Sequence, residues 1–146
     1  MIPSLRIRNN DGKEQILCPF RRKWVRLTPE EQVRQVFLHR LVAEHAYPLS
    51  HIAVEHPIQV GDMGKRCDAV VLDDRLQPRC IIEFKAPNVT LTEKTFDQIA
   101  VYNRRLGVPY LIISNGCQTI VCYVHTNHTL EFLSVIPPYN SLCMNN

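Results

Sequence analysis

The chain has 146 residues, 45% of them hydrophobic, with 17 Lys and Arg against 14 Asp and Glu and a formal net charge of +3. That is enough apolar chain to close one core, while its longest apolar runs, such as Tyr110-Leu111-Ile112-Ile113, fall far short of the roughly 20 residues a membrane helix needs. Arg6 and Arg8 are not backed by the apolar core of a signal peptide, so a soluble, cytoplasmic protein without a membrane partner is expected.

Residues 1–27 carry Arg6, Arg8, Lys13, Arg21, Arg22, Lys23 and Arg26 against only Asp11 and Glu14. Such a basic extension suits a phosphate backbone and equally suits a solvated, partly ordered surface segment. Within it, Asn9-Asn10-Asp11-Gly12 is a turn signal that predicts a short hairpin. Thr28-Pro29-Glu30-Glu31 then predicts a helix start, with Thr28 at the N-cap, Pro29 at the first helical position and Glu31 completing a capping box. Val33, Val36, Phe37 and Leu41 follow at helical spacing to about Glu44, and Tyr47-Pro48 stops the helix.

Three strands come next, Ile52 to Val60, Arg66 to Leu72 and Arg79 to Lys85, joined by turns at 61–65 and 73–78, which predicts a meander. Thr90 to Leu106 returns to helical spacing, with Thr92 as N-cap, Phe96, Ile99, Ala100 and Asn103 on one stripe, and Gly107 and Pro109 ending it. Tyr110–Ser114 and Thr119–His125 read as two further strands linked by Asn115-Gly116, a strong hairpin signal. His125 and His128 have a ligand-like spacing, but Thr126, Asn127 and Thr129 around them favour a solvated hairpin loop. Six cysteines lie without a C-x-x-C pair, which disfavours a disulfide framework or zinc site and favours thiols used as small buried side chains. One domain over residues 1–146 is expected, with a core over 28–136 and, after Pro137-Pro138, a mobile polar tail over 137–146.

The chemistry concentrates in Ile81-Ile82-Glu83-Phe84-Lys85. Alternation along a strand places Glu83 and Lys85 on one face and Ile82 and Phe84 on the other. If the preceding strand pairs with it as a hairpin, Asp68 reaches the same spot. A carboxylate pair can hold Mg²⁺, with Mn²⁺ as a substitute, because magnesium takes hard oxygen ligands and is usually held by one or two carboxylates. Asp68 and Glu83 fit that role, the backbone carbonyl of Ile82 is a further candidate ligand, and Lys85 can orient water or neutralise charge on a phosphoryl group. Taken alone, Glu83 and Lys85 read as a solvated ion pair; the apolar residues around them argue for buried strands, where unpaired charge is costly.

Asp68, fourteen intervening residues and Glu83-Phe84-Lys85 resemble the PD-(D/E)XK nuclease signature. Four blocks in order, Arg66-Cys67-Asp68-Ala69-Val70-Val71, Ile82 to Pro87, Phe96 to Asn103 and Pro109 to Gly116, resemble the N-terminal nuclease domain of type I restriction enzyme R subunits. The resemblance covers roughly residues 28 to 136. It implies an α/β, restriction-endonuclease-like αβββαβ core, a mixed central sheet flanked by helices, here with an extra C-terminal strand. It also implies a Mg²⁺-dependent DNA endonuclease with metal ligands at Asp68 and Glu83, the motif's lysine at Lys85, and its Gln-x-x-x-Tyr pair at Gln98 and Tyr102, four apart on one helical face. The alternative for Gln98 and Tyr102 is an amphipathic surface stripe with Tyr102 half buried. The first helix of such nucleases adds a glutamate, and Glu30 is preferred because Glu31 is engaged in capping.

Cys67 stands where the signature has proline. No G-x-x-x-x-G-K-[ST] loop is present, since Gly64-Lys65 is followed by Arg66 and Gln59 stands where the first glycine belongs, so no ATP site and no motor are expected. The expected partners are DNA, a second copy in a homodimer and separate motor or specificity subunits. The alternative is a non-catalytic nucleic-acid-binding or interaction module on a nuclease scaffold.

Overall fold

The computed structural model describes residues 4–60 and 63–144, without the side chains of residues 58–60, 63–65, 102 and 105. Strands β1 (Ile7–Asn10), β2 (Lys13–Cys18) and β3 (Lys23–Arg26) form a three-stranded antiparallel sheet. Helix α1 (Pro29–His45) follows, then β4 (Ile52–Val60), β5 (Met63–Leu72), β6 (Pro78–Phe84), α2 (Glu93–Leu106), β7 (Tyr110–Ser114), β8 (Thr119–Val124), β9 (Leu130–Leu133) and the short α3 (Tyr139–Cys143). Strands β4 to β9 lie side by side in chain order. All neighbours are antiparallel except β6 and β7, the pair that α2 crosses over. From α1 to β7 the order is the αβββαβ expected from the sequence, and the three-strand meander is present.

The two helices cover opposite faces of the large sheet. Val33, Leu38 and Leu41 of α1 pack with Ala69, Val71, Cys80, Ile82, Phe84 and Ile112, whereas Ile99 of α2 packs with Val70, Ile81, Leu111 and Ile113. Strand β6 is therefore apolar on both sides, as doubly covered strands are. Only such a strand makes an embedded Glu83 conspicuous.

Several elements depart from the sequence reading. Thr28 caps α1 by accepting the Glu31 N–H at 3.0 Å, but the reciprocal half of the expected capping box is missing, because the Glu31 side chain turns inward to Arg21, Arg34 and Gln35. The capping box forms instead on α2, between Thr92 and Thr95. Val36, expected on the core stripe, is exposed, while Leu38, Gln35 and His39 are buried, since the basic N-terminal segment covers a second side of α1. That segment is ordered into a three-stranded sheet rather than a single hairpin. Of the expected 61–65 turn, β5 already begins at Met63, and Gly61 and Asp62 lie outside the described residues.

The chain end shows the largest correction. Residues expected to form a mobile tail fold into α3, whose Leu142 is fully buried on the α1 side of the sheet, in the core with Leu41 and Tyr47. Tyr47 Oη donates to the Pro137 carbonyl at 2.6 Å, Tyr139 Oη donates to the Leu72 carbonyl at 2.8 Å, and Arg79 donates to the carbonyls of Leu142 and Met144. Residues 145–146 lie outside the described set. The His125–His128 segment is a hairpin loop closed by the His125 N–H to the Thr129 carbonyl, and beyond it lies β9, a strand absent from the sequence reading.

Candidate functional site

Pairing between β5 and β6 stops at Ala69 opposite Ile82. Beyond that point a side chain takes over the ladder: the Phe84 N–H donates to Asp68 Oδ2 at 2.7 Å. The Lys85 N–H donates the other way, to the Ser114 carbonyl of β7 at 2.9 Å. Alternation along the strand therefore directs the backbone of residues 83 and 85 to β7 and that of residues 82 and 84 to β5. Ile82 sits within the ladder opposite Ala69, its side chain in the apolar core. The carbonyl of Phe84 is the first past the end of the ladder, on the side where Asp68 stands. Reading Phe84 as a backbone contributor requires the register of the sheet, which no spacing rule supplies.

Glu83 lies on the opposite face of β6 from Phe84, toward α2, and is 5% exposed. Its Oε2 is buried without a hydrogen-bond partner among the described residues. Burial first, then the charge of Asp68, push the Glu83 carboxyl up to about 8, while Lys85 pulls the other way. The Asp68 and Glu83 carboxyls stand close enough to share a proton. Burial raises Asp68 as well, opposed by the Phe84 N–H, by Arg34 and by Lys85, so the proton of a metal-free pair resides chiefly on Glu83.

The first turn of α1 brings Glu30 into the electrostatic range of Asp68, Glu83 and Lys85, and its carboxyl is raised by partial burial and then by Asp68. Glu31 is directed elsewhere. Burial works to raise its carboxyl, and hydrogen bonds from Arg34, Arg21 and Gln35 outweigh that and hold it low. From α2, Gln98 Oε1 accepts from Lys85 Nζ at 3.3 Å, which ties the lysine to the helix that crosses over the site. Tyr102 follows one turn later on the same helix, and its side chain lies outside the described residues.

Two residues absent from the sequence reading complete the surroundings. Arg34, buried on α1, places Nη1 3.9 Å from Asp68 Oδ1 while its Nε donates to Glu31 Oε2 at 3.0 Å. Glu55 on β4 falls between the pairs Val54–Ala69 and His56–Cys67, hence opposite Asp68, with φ at 57°. A left-handed backbone is uncommon for a residue with a side chain. Its carboxylate lies 3.6 Å from Arg21, 3.7 Å from Arg34 and 3.7 Å from Arg66. The i, i+3 and i+4 spacing of Glu31, Arg34 and Gln35 is a signal that could have marked a buried polar face.

The residues present fit a hard divalent cation. Two carboxyls crowd each other at the sheet end, and among the described residues the buried Glu83 Oε2 receives no hydrogen bond from an amide, hydroxyl or cation, which leaves the proton shared with Asp68 as its link to a neighbour. Among the described residues no group of three or more His, Cys, Asp and Glu is arranged to hold a metal. Magnesium, which keeps several waters and needs only one or two carboxylates, suits this pair better than zinc. A cavity of about 660 Å³, lined by residues including Phe96, Asn103 and Tyr123, contains none of Asp68, Glu83 and Lys85.

A mixed sheet wound in αβββαβ order, with an aspartate and a Glu-x-Lys strand meeting where the central hairpin splays, defines a restriction-endonuclease-like fold. The sequence profile of the family described as type I restriction enzyme R protein N terminus matches residues 29–137, and the chain belongs to that family. Its structure is similar to a fragment assigned to an HsdR subunit of a type I restriction enzyme from Vibrio vulnificus YJ016, with a TM-score of 0.60 and 18% identity over 80% of this chain and 24% of that one. At that identity the likeness shows the fold, and this chain spans about a quarter of that chain's length. No curated protein matches. Among the described residues no helix is long and apolar enough to cross a membrane.

Proposed function

We propose that the domain hydrolyses phosphodiester bonds of DNA at Asp68, Glu83 and Lys85 with Mg²⁺ bound. The observation that carries this reading is the buried Glu83 carboxyl pressed against that of Asp68, its Oε2 without a hydrogen-bond donor from amide, hydroxyl or cation among the described residues, with the Lys85 ammonium two residues on, just past the end of β6. Two buried carboxyls that must share a proton to coexist are costly in a purely structural role, and a divalent cation between them would replace that proton. Asp68 and Glu83 would hold the cation, and the Phe84 carbonyl, facing the Asp68 side beyond the ladder, is a better backbone candidate than Ile82. The bound cation supplies Lewis-acid polarisation of the phosphoryl oxygens and a water of lowered pKa.

The chain's own groups do the remainder. Arg34 and the Phe84 N–H favour an ionised Asp68, keeping it available as a ligand. Lys85, steadied by Gln98, holds positive charge where negative charge builds on the phosphoryl group and orients the attacking water. Glu30, raised by burial and by Asp68, is placed to accept a proton at its carboxylate. The domain would receive its DNA as part of a larger assembly, with motor or specificity functions carried elsewhere, or as a homodimer.

The test is nicking of supercoiled plasmid in Mg²⁺ or Mn²⁺. Asp68→Asn and Lys85→Ala are each expected to lower the rate by about 100-fold or more. Full activity of Lys85→Ala would remove the assignment, and DNA binding without any cleavage by the wild-type chain would leave a binding module on the same fold.

A further inference from the structure

The three-stranded sheet of residues 7–26 precedes the matched family region and has two unlike faces. Ile16 and Cys18 of β2 point inward and are fully buried. The alternate positions point outward and form three cross-strand rows: Arg6 with Leu17 and Trp24, Arg8 with Gln15 and Arg26, and Asn10 with Lys13. Four cations therefore share this outer face with no carboxylate among them; Glu14 belongs to the other face and Asp11 to the turn.

The charges are held in place and left unneutralised. The Arg8 guanidinium lies 4.3 Å from the Trp24 ring centroid and that of Arg6 lies 5.7 Å away, while Arg8 Nε donates to Gln15 Oε1 at 2.8 Å. Arg6, Arg8, Lys13 and Arg26 are exposed, and among the described residues none of them enters an ion pair. Arg21 and Arg34, by contrast, are bound up with Glu31 and Glu55.

We propose that this outer sheet face binds the phosphate backbone of duplex DNA, independently of sequence, and holds it on the domain that carries the Asp68–Glu83 site. Charge complementarity selects a polyanion, and the choice of DNA among polyanions rests on the nuclease reading above. Guanidiniums already cover Trp24, so the ring orients cations instead of offering a stacking platform for unpaired bases, which favours a duplex over a single strand. The sheet is fixed relative to the site. Arg21, in its β2–β3 turn, donates to Glu31 at 2.8 Å, and Glu31 is bonded to Arg34, the neighbour of Asp68.

The experiment measures binding of a labelled duplex by fluorescence anisotropy over a salt series, using the full chain with Lys85→Ala so that nothing is cut. Adding Arg8→Ala and Arg26→Ala is expected to weaken binding about tenfold or more and to reduce the slope of log K against log salt by roughly 2, near 0.9 for each lost phosphate contact. Removing two exposed cations elsewhere, Arg40→Ala with Arg75→Ala, is expected to change both far less. Unchanged affinity in the first pair, equal loss in the second, or no binding by the parent chain would overturn the proposal. Cleavage by the chain that keeps Lys85, with and without Arg8→Ala and Arg26→Ala, separates the two readings: intact binding without cleavage by wild type sinks only the nuclease, and unaltered binding and cleavage by the double variant sinks only the sheet face.

Discussion

Glu83 pits burial against charge. Its carboxyl is raised to about 8 from the 4.5 of an exposed glutamate, first by burial and then by Asp68. The folded, metal-free chain thus holds a proton that the unfolded chain releases above roughly pH 4.5. The stability this group contributes is complete below that pH and is lost as pH rises through about 8. Glu83→Gln keeps the shape and removes the titration. In the presence of a chelator, this variant is expected to melt several degrees above wild type at pH 8 and close to it at pH 5, with a flatter Tm–pH curve between. Parallel curves for the two proteins would show that Glu83 titrates as an exposed carboxyl does. The same substitution is expected to abolish nicking, so the site would be less stable for being functional.

At the scale of elements, α3 and the N-terminal sheet decide what the core is. Leu142 is fully buried with Leu41, Tyr47 and Ile52, so Leu142→Ala should cost about 2–4 kcal/mol in a urea unfolding experiment. A mobile tail would give no change. Pattern reading missed this element because Asn140, Ser141 and the two prolines before them outweigh one leucine and one tyrosine in any local window, and what orders the segment is long-range: Tyr47 reaches across 90 residues to Pro137. The central αβββαβ order was legible for the opposite reason. Thr28, Thr92 and Gly107 act locally as caps, and β6 is covered on both faces, so its apolar run, with Glu83 inside it and Lys85 just after it, stands out in the sequence. Asp68, Glu83 and Lys85 came together in the sequence through strand alternation, an assumed hairpin and the resemblance to a nuclease signature, and the structure brings the three to one end of the sheet. Arg34, Glu55 and the Phe84 backbone were not legible, since each depends on which helix face is covered, which backbone is left-handed, or where a ladder stops.

At the scale of the whole molecule, the boundary of the family match and the boundary of the folding unit differ. The match begins at residue 29, yet the segment before it buries Ile16 and Cys18, sets Phe20 edge-on to His39 at 6.0 Å and supplies Arg21 to the buried Glu31. A chain beginning at residue 28 would expose one side of α1 and leave Glu31 to Arg34 and Gln35 alone. Lost apolar burial and a broken buried ion pair together amount to roughly 4 kcal/mol or more, which for a domain of this size corresponds to a fall in Tm of about 10–20 °C. Thermal unfolding of the two chains measures this directly, and limited proteolysis reports whether α1 becomes accessible. A truncated chain that melts within a few degrees of the full one would mean that the sheet is a passenger. If the fall is as large as expected, the sheet that carries Arg6, Arg8, Lys13 and Arg26 is a structural wall of the site, and any DNA gripped by its outer face is held in a fixed relation to Asp68 and Glu83.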